Sequence, residues 1–392
     1  MSLLQAMRER SAPFIALRHD LHMHPELGLQ EFRTAALLAE QLESWGYCVT
    51  RGLATTGLVA QLVRGNGPKR LGIRADMDAL PIQEVNSFAH RSIHDGLMHA
   101  CGHDGHTAML MAAAKYISQE LEFSGTLNLI FQPAEEYPGG AKLMIEQGLF
   151  EKFPCDAIFA AHNMPGIPAG QLVFIEGPAM ASSDDVTITL TGLGGHGAMP
   201  HLTQDPIIAA ASMVMALQTI VSRNVNPLQT AVITVGSLVA GKANNVIPNS
   251  ARLELSVRAL DREVRDLLQA RILALVSAQA ESLGVQAQID YRRDYPVLVN
   301  TPAETKLARS VGVELLGQSA VTVQGQPLTG SEDFAFMLEH CPGSYFMIGN
   351  GATQSDGPHA CMVHNPGYDF NDEILPVGAA YWALLTQRYL TN

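Results

Sequence analysis

The chain has 392 residues, 47% of them hydrophobic and 16% charged, with a formal net charge of −13. That composition excludes disorder, supplies a large core and is long enough for two domains. With no run of Lys or Arg, the sequence also lacks the basic footprint of a nucleic-acid binder, and its acid excess chiefly favours solubility.

In chain order, Met1–Arg10 mixes charged and apolar residues and has no apolar core of a signal peptide. Glu31–Trp45 has helical periodicity: Phe32, Ala35, Ala36, Leu38, Ala39 and Leu42 can share a face, and Gly46 stops the helix. Strand-like runs follow at Gly57–Val63 and Leu71–Ala75. A helix is expected at Thr107–Ile117 with Asp104 as its N-cap. Thr126–Phe131 reads as a fully buried strand, Lys142–Gln147 as part of a short helix and Ala157–Ala161 as a short apolar strand. Alternating strands and helices predict an α/β sheet covered on both faces.

The texture then changes. Asp185–Thr191 alternates polar and apolar residues, as a half-exposed strand does. Pro206–Val221 reads as a helix, Ala231–Val239 and Arg252–Arg258 as strands, Arg262–Leu283 as a helix and Val285–Tyr291 as a strand. The order β-α-β-β-α-β fits a ferredoxin-like split unit. Residues 181–292 are therefore expected to form an inserted α+β module. Residues 1–180 and 293–392 would form one discontinuous domain, ending in a helix at Leu375–Tyr389. The longest apolar stretch, Ile207–Val221, is short for a bilayer span and contains Ser212, Gln218 and Thr219, so it reads as a buried helix. Cys48, Cys101, Cys155, Cys341 and Cys361 are odd in number and not spaced as a disulfide framework; they read as reduced thiols of a cytoplasmic protein.

Chemistry concentrates in four places. HACGHDGHTA (His99–Ala108) sets Cys101 and His103 two residues apart. Such residues do not share a helix face, but a loop freed by Gly102 can aim both at one centre, and thiolate with imidazole suits zinc-like metals. The same pattern also suits a capped helix start with a buried Cys and solvent-facing histidines. FQPAEEYPGG (Phe131–Gly140) puts Glu135 and Glu136 after a buried strand. Adjacent residues point apart, so one can bind metal while the other acts as a base toward a substrate water; the alternative is a solvated pair in a turn. AAHN brings His162 at the end of a short strand, and MVHNPGYDFND brings His364 before the last helix. Either histidine alone reads as structural. What joins them is position: Cys101/His103, Glu135/Glu136 and His162 each follow a predicted strand of one sheet, where open α/β sheets bind ligands. Leu71–Ala75 leads to Asp76 and Asp78, and a carboxylate there can accept the second N–H of a metal-bound histidine.

At these residues the sequence resembles the dinuclear-metal amidohydrolases related to aminoacylase and carboxypeptidase G. It is most similar to the branch of hippurate hydrolase and the indole-acetyl-amino-acid hydrolases. The likeness covers nearly the whole chain, from LHMHPELGLQE (Leu21–Glu31) through RADMDALPI, HACGHDGHTA, QPAEE, AAHN, GGHGAMPH, NNVIPNSARLELSVR and TGSEDF to MVHNPGYDFND.

The resemblance implies an α/β, mixed-sheet, metallopeptidase-like catalytic domain with an inserted ferredoxin-like α+β lid and dimerisation domain. It implies two divalent ions per subunit, manganese first, zinc next, with cobalt or nickel also accepted. Cys101 would bridge them, where other branches have an aspartate. Glu136 and His364 would complete one site, His103 and His162 the other. Glu135 matches the general base and Asp78 the residue that orients a ligand. Asp76 stands where other branches have a histidine ligand, a role His103 takes here. In the module, His196 of GGHGAMPH matches an oxyanion-stabilising histidine that serves its own subunit or a partner's. Asn245 and Arg258 match residues that hold the substrate carboxylate, for which the Arg fork is suited. Without the likeness, His196 would read as a turn residue and Arg258 as a surface one. The implied reaction is hydrolysis of an N-acyl-L-amino acid, hippurate-like, to a carboxylic acid and a free amino acid. A water held between the metals would attack, with Glu135 as base and then acid. The alternative is a dipeptidase or carboxypeptidase of the same fold. Expected partners are a small-molecule substrate and further copies in a homodimer or homotetramer, with no nucleic acid and no membrane.

Overall fold

The computed structural model describes every residue except Val323, 352–358 and Asn392. The chain divides into two compact units: unit 1 holds Met1–Gly177, Val299–Gln326 and Phe336–Asn392, and unit 2 holds Pro178–Leu298 and Pro327–Ala335. The sequence reading assigns residues 178–180, 293–298 and 327–335 to the discontinuous domain. The last of these go with unit 2 because their backbone pairs there: Leu328 N–H donates to Ala179, and Ala181 N–H to Leu328 and Gly330.

Unit 1 is built on an eight-stranded sheet. Its order is Cys48–Leu53, Gly57–Arg64, Gly125–Gln132, Arg70–Asp76, Ala157–Pro165, Gly343–Gly351, Leu172–Val173 and Val321–Thr322. The four strands from Gly125–Gln132 to Gly343–Gly351 run parallel, and the first two are antiparallel additions. Parallel strands covered on both faces bury every side chain, so they read as apolar runs without alternation. Leu127, Leu129, Ile130, Phe131, Ile158 and Phe159 are all buried. Gly343–Gly351 is equally buried, yet its three glycines make it look like a loop, and it was not foreseen. The helices Leu3–Glu9, Ala12–Met23 and Pro302–Leu316 and the strand Cys48–Leu53 were also not foreseen.

The expected helix after Glu31 spans Phe32–Ser44 and buries Leu38, Ala39 and Leu42. Phe32 and Ala36, expected on the same face, are exposed. The buried residue at this corner is Glu31, drawn inward by the Thr56 hydroxyl and the Ala134 N–H.

The helix expected from Thr107 begins earlier, at His103, and runs to Glu120 with Gly102 at its N-cap. Asp104 is therefore not the cap. Its carboxylate turns into the core, 3.1 Å from Arg18 Nη1 and 2.9 Å from His22 Nδ1. Arg18 also donates to Asp372 at 2.5 Å, and His22 reaches Glu84 at 3.2 Å. Burial alone would raise the Asp104 pKa, but His22, His99 and Arg18 outweigh it and hold the carboxyl well below its usual range. Burial likewise opposes charge on His22, yet Asp104 and Glu84 push its pKa up to about 9. This network ties Ala12–Met23 to the start of the His103 helix. Arg18→Met should lower the unfolding free energy in urea by about 1.5–3 kcal/mol, the worth of a hydrogen bond to a charged group, because Asp104 keeps His22 as its other buried partner. Because the folded Asp104 carboxyl is held well below its usual range, its pairing contributes fully above pH ~4, where the unfolded carboxyl is ionised, and that contribution is lost only as the pH falls below that value toward the depressed folded one.

Unit 2 carries a four-stranded antiparallel sheet in the order Ala231–Ala240, Ser250–Ala259, Asp184–Thr191, Gln286–Arg293. The element order is the expected β-α-β-β-α-β. Helices Pro206–Asn224 and Arg262–Ser282 cover one face through Met213, Leu217, Leu268 and Ile272, packed on Val186, Ile188, Leu190 and Leu253. The first helix has 19 residues, longer than expected, and passes as a membrane span on length and composition. Ala209, Ala210, Met213, Leu217 and Ile220 nevertheless lie in the core of unit 2, leaving Ile207, Ile208 and Met215 facing outward.

Candidate metal centre

Three parallel strands of unit 1 deliver the site. Arg70–Asp76 leads to Asp78, Gly125–Gln132 leads to Glu135 and Glu136, and Ala157–Pro165 carries His162. His162 was expected just past its strand; the strand runs on, and the histidine lies within it. Cys101 and His103 come from the bend and first turn of the His103–Glu120 helix rather than from a strand end. The sharp entry needs Gly102, whose φ is +92° and where a Cβ would run into Asn163 Nδ2 and Tyr368 Oη. His364 sits at φ +68° and donates its backbone N–H to Ala100 at 2.7 Å, which fixes it beside the Cys101 bend.

The donor atoms gather in two sets that share one residue. Cys101, His103 and His162 form one, and Cys101, Glu136 and His364 form the other, each within 4.8 Å. Cys101 Sγ is 3.2 Å from His162 Nε2. Glu136 Oε1 is 2.9 Å from His364 Nε2, yet this oxygen has no hydrogen-bond partner, and neither has His103 Nε2. Buried polar atoms left unpaired call for an explanation, and here the unpaired atoms converge. Both buried imidazoles are oriented from behind. His103 Nδ1 donates to Asp78, whose backbone oxygen is at 2.9 Å and Oδ1 at 3.1 Å. His162 Nδ1 donates to the Asn163 carbonyl at 2.5 Å. In each ring this turns Nε2 toward the other donors, the arrangement of metal-binding histidines. Asp78 also accepts the Glu136 N–H at 3.0 Å, so one carboxylate orients candidate donors from the start of a helix and from the loop after Gly125–Gln132.

Electrostatics favour a cation. Burial opposes charge on His103, but Asp76 and Asp78 outweigh it and push its pKa up to about 10. Burial, with Glu136, Glu135 and Asp76 close by, holds the Cys101 thiol well above its usual range. Burial and His106 hold His162 well below, hence neutral. A thiol, two imidazoles and carboxylates around one point form a donor set that fits divalent ions.

A third candidate set, Asp76, His103 and His106, is less suited. His106 Nδ1 lies 2.7 Å from Asp76, and its Nε2 accepts Asn163 N–H at 3.0 Å, so neither nitrogen is free. Asp76 is also bound by Arg74 at 2.7 Å. Asn163 continues the network, donating to the Cys101 carbonyl at 2.7 Å and accepting from Tyr368 Oη at 2.6 Å. His106, Asn163 and Tyr368 were not singled out from sequence. The signal was present, since His106 lies one turn after His103 and Asn163 directly follows His162.

His196, Asn245 and Arg258 belong to unit 2. His196 is exposed on the short strand Gly195–His196, paired with Val246–Ile247. Its Nδ1 accepts the Ala198 N–H at 3.1 Å, which leaves Nε2–H as the donor of the neutral ring. Asn245 is its neighbour, its carbonyl accepting Gly197 N–H at 2.8 Å. Arg258 is half-buried and donates to the Thr329 carbonyl at 3.1 Å.

Residues 72–388 match peptidase family M20/M25/M40, and the chain belongs to that family. It is 42% identical over 390 residues to the hippurate hydrolase of Campylobacter jejuni, covering 100% of both chains. It is 38% identical to an IAA-amino acid hydrolase of Arabidopsis thaliana, over 96% of this chain and 85% of that one. A Bacillus subtilis protein described as a dinuclear metal binding peptidase from the M20 family superposes with a TM-score of 0.84, at 33% identity, over 98% of this chain and 99% of that one.

Proposed function

We propose that this protein is a metal-dependent amidohydrolase that cleaves hippurate-like N-acyl amino acids to a carboxylic acid and a free amino acid. The observation that carries the proposal is the double donor set around Cys101 with the buried carboxyl of Glu135 beside it, close to both His103 and Glu136. The likeness to hippurate and IAA-amino acid hydrolases supports the substrate class.

Cys101, His103 and His162 would hold one divalent ion, and Cys101, Glu136 and His364 a second; the dinuclear relative supports the pair. Ions bound there supply Lewis acidity toward a carbonyl oxygen and make water a stronger acid. Glu135 takes the proton from the attacking water and returns it to the leaving nitrogen, base and then acid. From unit 2, the Nε2–H of His196 would stabilise the developing oxyanion, within its own subunit or across to a partner. Arg258 and Asn245 would hold the substrate carboxylate. Among metals, the donor softness suits zinc, and the mixed carboxylate set also accepts manganese, cobalt and nickel; manganese is the first choice. The five cysteines are all free, which supports a reducing, cytoplasmic setting.

The test is metal analysis of the purified protein together with a panel of benzoyl-, acetyl- and indole-acetyl-amino acids set against dipeptides. Cleavage of acyl amino acids in preference is the expected result. Metal-loaded protein that cleaves only peptides would establish the peptidase alternative.

A homodimer, or a tetramer built from it, is supported by the outward stripe of Ile208 (59% exposed) and Met215 (73%) on Pro206–Asn224. The edge strand Ala231–Ala240 adds Leu238 and Val239. An apolar helix face beside an open strand edge is a surface that another copy can cover. Ile208→Asp with Met215→Asp should convert the assembly to monomers in sedimentation velocity; an unchanged sedimentation coefficient would move the interface elsewhere.

A further inference from the structure

We propose that Glu31 is a positioning residue for Glu135, holding the loop 133–140 in its working conformation through the backbone of Ala134. The inference rests on the role given to Glu135 above.

Glu31 is fully buried beneath the start of Phe32–Ser44. Each carboxylate oxygen has its own partner: Oε1 accepts Ala134 N–H at 2.9 Å, and Oε2 accepts the Thr56 hydroxyl at 2.5 Å. Ala134 directly precedes Glu135 and has φ +53°, a left-handed conformation that an L-residue keeps only when its surroundings hold it. Its carbonyl accepts N–H bonds from Gly139 at 3.1 Å and Gly140 at 2.8 Å, which closes the loop on itself. On the other side of Glu135, the Glu136 N–H is held by Asp78. The base thus stands between two carboxylate anchors, Glu31 before it and Asp78 after it.

Shape reinforces the grip. A Cβ on Gly28 would meet Tyr137 O at 2.5 Å and Ala134 Cβ at 2.9 Å, so the segment leading to Glu31 lies directly on the loop. Glu31 and Thr56 are in none of the donor sets around the metal positions. Burial is the main cause that raises the Glu31 pKa to about 7, with Asp78 adding to it. An apolar side chain would be easier to bury here, but it would leave the Ala134 N–H without an acceptor.

The test compares full-length Glu31→Ala, Glu31→Gln and Glu31→Asp with wild type. The readouts are kcat and KM on an acyl amino acid, metal content, and amide hydrogen exchange over residues 133–140. A Gln amide oxygen still accepts from Ala134 while its NH2 faces a hydroxyl that can turn to accept. The Ala variant should exchange faster over the loop. Its kcat should fall by about 10²-fold, the size of a misplacement of ~1 Å, with KM and metal content unchanged. The Gln variant should recover most of both losses. Wild-type exchange over the loop in the Ala variant overturns the proposal, as does a kcat loss matched by metal loss or not restored by Gln. If the Ala variant does not fold, Glu31→Asp carries the same comparison, since it keeps the charge but withdraws it by one methylene. A wild-type protein that hydrolyses no acyl amino acid, combined with the expected exchange pattern, would remove the proposed function and leave the anchoring of the loop standing.

Discussion

Glu135→Gln lowers kcat by about 10⁴-fold, the upper range for a positioned acid–base group, and leaves the metal content of the protein unchanged. The reasoning starts from geometry. Glu135 and Glu136 are adjacent, yet they serve different surroundings. Glu136 joins Cys101 and His364 in one donor set and has its N–H fixed by Asp78. The two sets that share Cys101 are complete without Glu135. Gln keeps the size and one acceptor oxygen of Glu135, so the change removes the capacity to carry a proton and little else. Glu136→Gln is the contrasting case: it should lose metal together with activity. Elemental analysis and single-turnover kinetics on both variants separate the roles. Near-normal turnover in Glu135→Gln, or metal loss equal to that of Glu136→Gln, would make Glu135 a ligand or a bystander.

The second large effect is expected at Cys101. It is the one residue common to both donor sets, and it is buried among Glu136, Glu135 and Asp76. Removing it should weaken both positions together, beyond the about 10–100-fold that loss of an outer hydrogen-bond partner costs. Cys101→Ala should therefore give protein with far less metal and no measurable hydrolysis. Cys101→Ser should fare no better, because a hydroxyl is much harder to ionise than a thiol. Cys101→Asp restores an anion and should regain metal and part of the activity. Full metal content in Cys101→Ala would show that the sulfur does not bridge.

Much of this was legible in the sequence because the relevant signals are local. The parallel strands announce themselves as unbroken apolar runs, and the unit 2 strands as alternation, since one face of that sheet is open. The candidate donor residues sit in short motifs rich in Cys, His and Glu. What was missed depends on long-range packing. The strand Gly343–Gly351 is buried by its neighbours, not by its own composition. Phe32 was placed on the inner face by periodicity, but the turn before it puts Glu31 inside instead. Asp104 looked like a cap because it precedes an apolar run; its true partners, Arg18 and His22, lie far back in the chain. Likewise, no local pattern ties Glu31 to Ala134, more than a hundred residues away.

The parallel pairing of Gly343–Gly351 with Ala157–Pro165 also governs when the centre can exist. The two strands are neighbours in the sheet, but all of Pro178–Leu298 is synthesised between them. While the ribosome makes that stretch, the strand bearing His162 has a bare hydrogen-bonding edge, and contacts this distant in sequence form late. The nascent chain must keep that edge from pairing with other chains until Gly343–Gly351 arrives. His364 follows later still. Of the two donor sets that share Cys101, the one with Glu136 and His364 is therefore the last to have all its residues in place.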